Sequence, residues 1–263
     1  MHTSYSDGTY TPEEILSLAR RSGLSAVAIT DHDTFSGVAP ARLAAIGTGV
    51  EIIPGAEVTC DFDGRELHLL AYFCEPTAGR LAAALDRLRA HRLGRFWDMV
   101  DRLAACGVRL DQAALEEHAR QGTVGRRHLA AMLVESRRAR SLREAFHRYL
   151  GDQGQVALPK LRLPVAEALE LVHEAGGVAS WAHPPYDGTR DALARLREMG
   201  LDAVEVEYPG HRPARVRQLR LWAAELGLAV TGGSDCHGAG PRAVGSRSIT
   251  AAELEALRRL TCR

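Results

Sequence analysis

The sequence reads as an α/β protein of alternating β/α units, a barrel or sheet of parallel type broken by one all-helical insertion. Three observations lead there. Short apolar runs alternate with amphipathic helices, polar residues collect where those runs end, and strand signals stop between residues 77 and 154 while helical periodicity continues.

The elements follow in order. Thr11-Pro12-Glu13-Glu14 starts a helix, with a capping Thr, Pro at the first helical position and Glu three residues after the cap. Gly23 closes it, and residues 24–30 form a buried strand that ends in Asp31-His32-Asp33. A second strand, 50–53, runs into Pro54-Gly55-Ala56-Glu57, and a third, 65–73, carries His68 inside it. The insertion then reads as a long helix over 80–106, stopped by Gly107, and shorter helices over 111–120, 126–135 and 142–150. The β/α rhythm resumes near Pro164. Strands at 178–181, 203–206 and 228–231 precede Ala182-His183-Pro184, Glu207 and Gly232-Gly233-Ser234-Asp235-Cys236-His237-Gly238. The expected organisation is a discontinuous barrel, residues 1–76 and 155–263, around a helical lid, residues 77–154.

Composition narrows the function classes. The chain has 263 residues, 46% of them hydrophobic, and zero formal net charge, which fits a folded protein of the cytosolic type. Five cysteines without a C-x-x-C pair support neither a disulfide framework nor a thiolate zinc knuckle. No secretory segment opens the chain and no stretch approaches the length needed to span a bilayer. Charge is uneven: residues 87–148 hold 14 Arg and no Lys against 7 acidic residues, a net +7, so the remainder is acidic. Such a split suggests one surface that attracts phosphate and another that holds cations. Arg supplies 32 of the 33 basic residues, so part of this charge is explained by coding bias and solvated helix surface.

The unusual entry is histidine, 11 in a neutral chain. His91, His118, His147 and His173 lie in helices among charged residues, where a surface role suffices. His2, His32, His68, His183 and His237 lie at strand ends or within a strand, in company with Asp7, Asp31, Glu57 and Asp235. Ligands of parallel β/α proteins bind at the carboxyl ends of strands. Imidazoles and carboxylates gathered there without thiolate suit Mn, Fe or Zn in a polynuclear site that hydrolyses phosphate esters. Other signatures fail: there is no phosphate-binding G-x-x-x-x-G-K-[ST] loop, and Ser234 is not in a G-x-S-x-G elbow.

The motifs HTSYSDG from His2, TDHDT from Thr30, PGAEVT from Pro54, RELHLLAY from Arg65, AHP from Ala182 and GSDCHG from Gly233 resemble the polymerase and histidinol phosphatase (PHP) family. Within it they look most like the branch that removes the 3′-phosphate of nucleoside 3′,5′-bisphosphates and trims short RNA from the 5′ end. The resemblance implies a distorted (β/α)7 barrel with two or three divalent metal ions, Mn foremost and Fe or Zn as alternatives. It implies that Glu57 bridges two metals, with His2 and Asp235 on the first and His68 and His183 on the second. Asp7, His32 and His237 would hold the third, and Asp31 and Asp33 would orient ligands, Asp33 also lying beside substrate. Gly125-Arg126-Arg127-His128 resembles the branch's G-R-P-H element, with Arg127 in the place of Pro. Arg126 and His128 are therefore expected to contact phosphate, as is His211 after Tyr208-Pro209-Gly210. The family's opening H-x-H follows a strand, whereas here Met1 stands at its middle position. A truncated first strand is thus expected, from a recorded start several codons late or from loss of a ligand.

The expected mechanism is attack by a metal-bridged hydroxide. Arg126 offsets charge, and His183 or His237, if free, or a metal-bound water protonates the leaving oxygen. Substrate would be a nucleotide or short single-stranded RNA. Duplex DNA is not expected, since no recognition helix or zinc finger is visible. The rivals are a histidinol-phosphate phosphatase of the same family and a non-catalytic metal or nucleotide-binding module. The sequence is silent on oligomeric state.

Overall fold

The computed structural model describes residues 1–75 and 79–262; the expected boundary between residues 76 and 77 lies outside the described residues. Helix α1 (Pro12–Arg21) is capped as anticipated, with the Thr11 side chain accepting from Glu14 N and Glu14 accepting from Thr11 N. Its apolar face, Ile15, Leu16 and Ala19, is buried. It leads to β1 (Ala26–Ile29), α2 (Val38–Ala45), β2 (Glu51–Phe62) and β3 (Arg65–Tyr72). The insertion contributes α3 (Arg80–Ala105), α4 (Gln112–Gln121), α5 (Arg126–Glu135) and α6 (Leu142–Ala145), which widens into a π-helical turn over Phe146–Leu150. After β4 (Leu163–Pro164) come α7 (Val165–Glu174), β5 (Val178–Trp181), α8 (Arg190–Glu198), β6 (Ala203–Glu207), α9 (Pro213–Leu226), β7 (Ala229–Gly232) and α10 (Ala251–Arg258).

The seven strands form one curled sheet in the order β1-β2-β3-β5-β6-β7, with β4 pairing β2. The sheet departs from a purely parallel β/α pattern at one strand, because β3 is antiparallel to both β2 and β5. Only Asp63 and Gly64 separate β2 from β3, and a crossover helix cannot fit in two residues. Both have positive φ, 54° and 75°, as a tight hairpin turn requires. The second expected strand also does not stop at Pro54. It continues to Phe62, pairing β1 over its first four residues and β3 over the rest. Gly55 permits that continuation, since a Cβ there would lie 2.6 Å from the Ala71 carbonyl oxygen.

Strands β1 and β7 end the hydrogen-bonded path, and the first two residues lie between their carboxyl ends. Met1 N donates to Ala28 O, Thr30 N donates to Met1 O, and His2 N donates to Cys236 O at 3.0 Å. Below them runs a cavity of about 260 Å³, lined by β1, α10 and the inward face of the sheet.

Two large apolar clusters, and a small third one of Val178, Ala203 and Leu257, organise the packing of the described residues. One joins the sheet to α1, α2, α7, α8 and α9 and includes Leu81, Ala84, Leu85 and Leu88 from the start of α3. The other includes Phe96, Met99, Leu103, Leu129, Leu133 and Leu150. Helix α3 therefore serves both: its first turns pack on the sheet and its later turns carry the helical layer over one end of it.

Candidate metal centre

Glu57 lies in β2, 2% exposed, where the segment after β1 runs alongside. Glu57 N donates to Asp31 O and Asp33 N donates to Glu57 O, so His32 is drawn against Glu57 although it lies past the end of β1. His68 comes from β3, paired with Thr59 two residues beyond Glu57. His183 follows β5, and Asp235 and His237 follow β7. Asp33, His183 and Asp235 have positive φ (53°, 31° and 49°), a left-handed geometry that costs non-glycine residues energy and turns these side chains inward from the strand ends.

The eight expected ligands converge. Glu57 Oε2 lies 2.8 Å from His2 Nε2, and its Oε1 lies 2.5 Å from His68 Nδ1 and 3.0 Å from His183 Nε2. Asp235 Oδ1 is 3.2 Å from His2 Nε2. Asp7 Oδ1 faces three rings, at 3.3 Å from His237, 3.7 Å from His2 and 3.9 Å from His32. Three overlapping sets of ligand atoms lie close enough to share an ion: His2, Glu57 and Asp235; His32, Glu57 and His68; and His2, Asp7, His32 and His237. The grouping differs from the expected partition: His32 faces Glu57 and His68 as well as Asp7, His2 also joins the Asp7 set, and His183 approaches Glu57 without entering any of the three sets.

The neighbouring aspartates act through the main chain. Asp31 accepts from Thr3 N, Thr3 Oγ1 and Ser6 Oγ, which ties down the loop that carries His2 and Asp7. Asp33 accepts from Thr59 N and Oγ1 and from Arg92 Nε and Nη2. Both carboxylate oxygens of Asp33 are thus engaged by the protein, Oδ1 by Thr59 N and Oδ2 by Thr59 Oγ1 and Arg92, which suits the orienting role expected of it. The other two expected substrate contacts are also held by main-chain groups. His128 accepts from Gly125 N through Nδ1 and is hydrogen-bonded to the Ser6 main chain, which stitches α5 to the His2–Asp7 loop. His211, 5% exposed, directs Nδ1 at Val206 O and Nε2 at Pro184 O. Arg126 pairs with Asp152 at 2.7 Å and remains partly exposed. His183 and His237 aim their Nε2 atoms at Glu57 and Asp7.

The geometry can be set beside known proteins. The PHP domain model matches residues 1–198. This chain belongs to the PHP domain family. It is 32% identical over 242 residues to a 5′-3′ exoribonuclease of Haemophilus influenzae, covering 90% of this chain and 88% of that one. It is 32% identical to a 3′,5′-nucleoside bisphosphate phosphatase of Chromobacterium violaceum, covering 93% and 88% of the two chains. It is 33% identical to a phosphoribosyl 1,2-cyclic phosphate 1,2-diphosphodiesterase of Eggerthella lenta, covering 90% and 92%. A metal-dependent phosphoesterase structure from Bifidobacterium adolescentis superposes with a TM-score of 0.91 at 30% identity, covering 98% and 94%. As a PHP protein the chain is a metal-dependent hydrolase of phosphate esters with a mixed α/β fold, and among the described residues no helix is long and apolar enough to cross a membrane.

The PHP site's electrostatics fit cations. Burial opposes charge on His2, yet hydrogen bonds to Asp235 and Glu57 lift it to about 10. Burial likewise opposes charge on His68, but Glu57 and Glu66 raise it to about 9. Burial drives His32 down to about 3 despite Glu57 and Asp7. Burial would raise Glu57, but the surrounding imidazoles hold it well below the usual carboxylate range. His32 Nδ1 is buried without a hydrogen-bond partner among the described residues, 3.9 Å from Glu57 Oε2. A hard or borderline divalent ion matches that mixture of imidazole and carboxylate donors.

Four residues near the site escaped the sequence reading. Glu205, 4% exposed in β6, accepts from His183 N at 2.7 Å and is pushed by burial up to about 7. An acid inside the apolar run AVEVE was the available signal. Arg92 left none, being one Arg among many on α3. Lys160, the chain's single lysine, holds Glu66, which in turn bonds His68 Nε2 at 2.9 Å. Arg242 pairs with Asp235 and stacks over Tyr208.

Proposed function

We propose that this chain removes the 3′-phosphate of nucleoside 3′,5′-bisphosphates and cleaves short 5′-phosphorylated single-stranded RNA. The observation that carries the proposal is the convergence of five imidazoles and three carboxylates around Glu57, roofed by a helical layer of net positive charge. The names of two relatives, an exoribonuclease and a nucleoside bisphosphate phosphatase, support the substrate class. The ligands would be His2, Glu57 and Asp235; Glu57, His68 and His183; and Asp7, His32 and His237, holding two or three ions with Mn as first choice.

Bound divalent ions supply a water acidified toward neutrality and a positive field for the phosphoryl oxygens. The chain's residues do the rest. Glu57 spaces the imidazoles, Asp31 fixes the loop bearing His2 and Asp7, and Glu205 pins the main chain of His183. Residues 77–154 act as the lid over residues 1–76 and 155–263, and Arg126 is the lid's phosphate contact once its exposed partner Asp152 yields. Among the described residues, Cys60, Cys74, Cys106 and Cys236 are free thiols, which suits a reducing cytoplasm.

The test is to assay the Mn-loaded protein on adenosine 3′,5′-bisphosphate, short 5′-phosphorylated RNA, a ribosyl cyclic phosphate and histidinol phosphate, with His68→Ala as control. Turnover of the first two, lost in the variant, is expected. Turnover confined to histidinol phosphate or to the cyclic ester would reassign the substrate. No turnover at all would favour a binding module.

A further inference from the structure

Cleaving an alkyl phosphate ester places negative charge on the leaving oxygen, and the barrier falls when a hydrogen-bond donor already waits where that charge develops. Uncommitted donors are scarce around the metal centre. The eight candidate ligands must turn lone pairs, not protons, toward an ion. Arg92, Arg242 and Lys160 each face a carboxylate, at Asp33, Asp235 and Glu66, and the Ser6 hydroxyl donates to Asp31.

Tyr208 differs from all of these. It directly follows β6, and its ring centroid lies 5.4 Å from that of His183. Its phenol is within electrostatic reach of Asp235, Glu205 and Glu57, yet its hydroxyl has no hydrogen-bond partner among the described residues. The ring is held from three directions. The Arg242 guanidinium carbon sits 5.1 Å from the ring centroid, and the His211 ring meets it edge-on, also at 5.1 Å. Gly210 contributes by what it lacks, since a Cβ there would lie 2.6 Å from Tyr208 Cε1. His211 is itself fixed by Val206 O and Pro184 O, so the bearing of the phenol on the metal centre is set through the main chain. A clamped ring with an unspent O–H needs no reorganisation when substrate arrives, which is where such a donor gains its strength.

We propose that Tyr208 is a catalytic residue whose hydroxyl donates a hydrogen bond to the leaving oxygen of the ester. The phosphorus–oxygen bond breaks with its electron pair on that oxygen, and the phenol O–H stabilises the charge until a proton neutralises it. One water is divided between the products, its hydroxide forming the new bond at phosphorus and its proton ending on the leaving oxygen. The role rests on the phosphoesterase function proposed above and deepens it. It favours nucleoside and sugar esters, whose leaving oxygens are strongly basic, over esters whose leaving group is stable as an anion.

Two measurements on the Mn-loaded full chain and its Tyr208→Phe variant test this; Phe keeps the ring and its packing and removes only the hydroxyl. The first compares turnover of adenosine 3′,5′-bisphosphate with that of p-nitrophenyl phosphate, whose leaving oxygen needs little help. The variant is expected to lose roughly 100-fold in kcat on the nucleotide, as for one transition-state donor, and less than about tenfold on the aryl ester. The second is equilibrium binding of the product adenosine 5′-monophosphate against its 3′-deoxy analogue, which lacks the leaving oxygen. The parent should prefer the product by roughly 3- to 10-fold, as for one hydrogen bond, and the variant should bind the two alike. Equal losses on both esters, or no loss on either, overturns the role of Tyr208 while leaving the phosphoesterase function in place. So does a parent that binds product and deoxy analogue alike. A parent that turns over no ester overturns the phosphoesterase function, and a preference for the product that disappears in Tyr208→Phe then still supports the contact with the oxygen.

Discussion

Replacing Arg92 by Met should cost about 3 kcal/mol of stability, because it strands a buried carboxylate. Asp33 is 1% exposed, and Arg92 reaches its Oδ2 through Nε at 3.2 Å and Nη2 at 2.5 Å. Losing one partner of a buried ion pair costs roughly 3–5 kcal/mol, and the lower figure applies here because Thr59 N and Oγ1 continue to donate to Asp33. That is a large share of the about 5–15 kcal/mol that holds a domain together. The assay is urea unfolding of the metal-free protein, followed by circular dichroism, for Arg92→Met, Asp33→Asn and the double variant. Asn keeps an acceptor for Thr59 N, so the double variant should be more stable than the sum of the single losses predicts, by about 2 kcal/mol. A cost under about 1 kcal/mol for Arg92→Met, or strict additivity, would mean that the pair behaves like an exposed one and would refute the reasoning. The same contact should matter to the site, since Asp33 adjoins His32 and Thr59 pairs with His68, and Mn affinity should fall along with stability.

Three other outcomes are expected. His2 and His68, lifted to about 10 and about 9, are protonated at neutral pH and must lose those protons to bind an ion, so metal loading at pH 7 should release about two protons per chain; calorimetry in buffers of different ionisation enthalpy would detect this, and a buffer-independent heat would contradict it. His128 is held down to about 4 by burial against an ordinary value of 6.5, so the unfolded chain binds the extra proton first and stability falls as pH drops from 6.5 toward 4, by up to about 3 kcal/mol; His128→Ala should flatten that part of the pH–stability curve, and an unchanged slope would show that another group is responsible. Glu205→Ala removes the acceptor that fixes the His183 main chain and should weaken Mn binding roughly 10- to 100-fold, whereas Glu205→Gln keeps an oxygen and should stay near the parent; equal losses in a chelator-competition titration would place the role of Glu205 elsewhere.

The candidate ligands were legible in the sequence because strand ends are marked locally. Each of His32, His183, Asp235 and His237 follows a short apolar run, and Glu57 and His68 interrupt such runs, so period and polarity were sufficient to pick them out. The hairpin was also written locally, in Asp63-Gly64, but the stronger β/α rhythm around it obscured that turn and with it the reversed direction of β3. The main-chain partners of Asp33, His128 and His211 were not legible for a related reason: residue type announces a hydrogen-bonding group and says nothing about which main-chain atom meets it.

The sequence by itself determined the alternation of strands and helices, the helical insertion and the set of imidazoles and carboxylates, since each depends on neighbours within a few residues along the chain. Only the tertiary structure decided which of those groups face one another. Met1 and His2 find their place through hydrogen bonds to residues 27, 29 and 234 positions away, and Arg92 reaches Asp33 across 59. It also decided that Arg95, indistinguishable in sequence from the other arginines of α3, is buried without a carboxylate pair among the described residues. Charge pairing and burial are properties of distance in space, and 14 arginines in one segment become distinct only when the fold assigns each its surroundings.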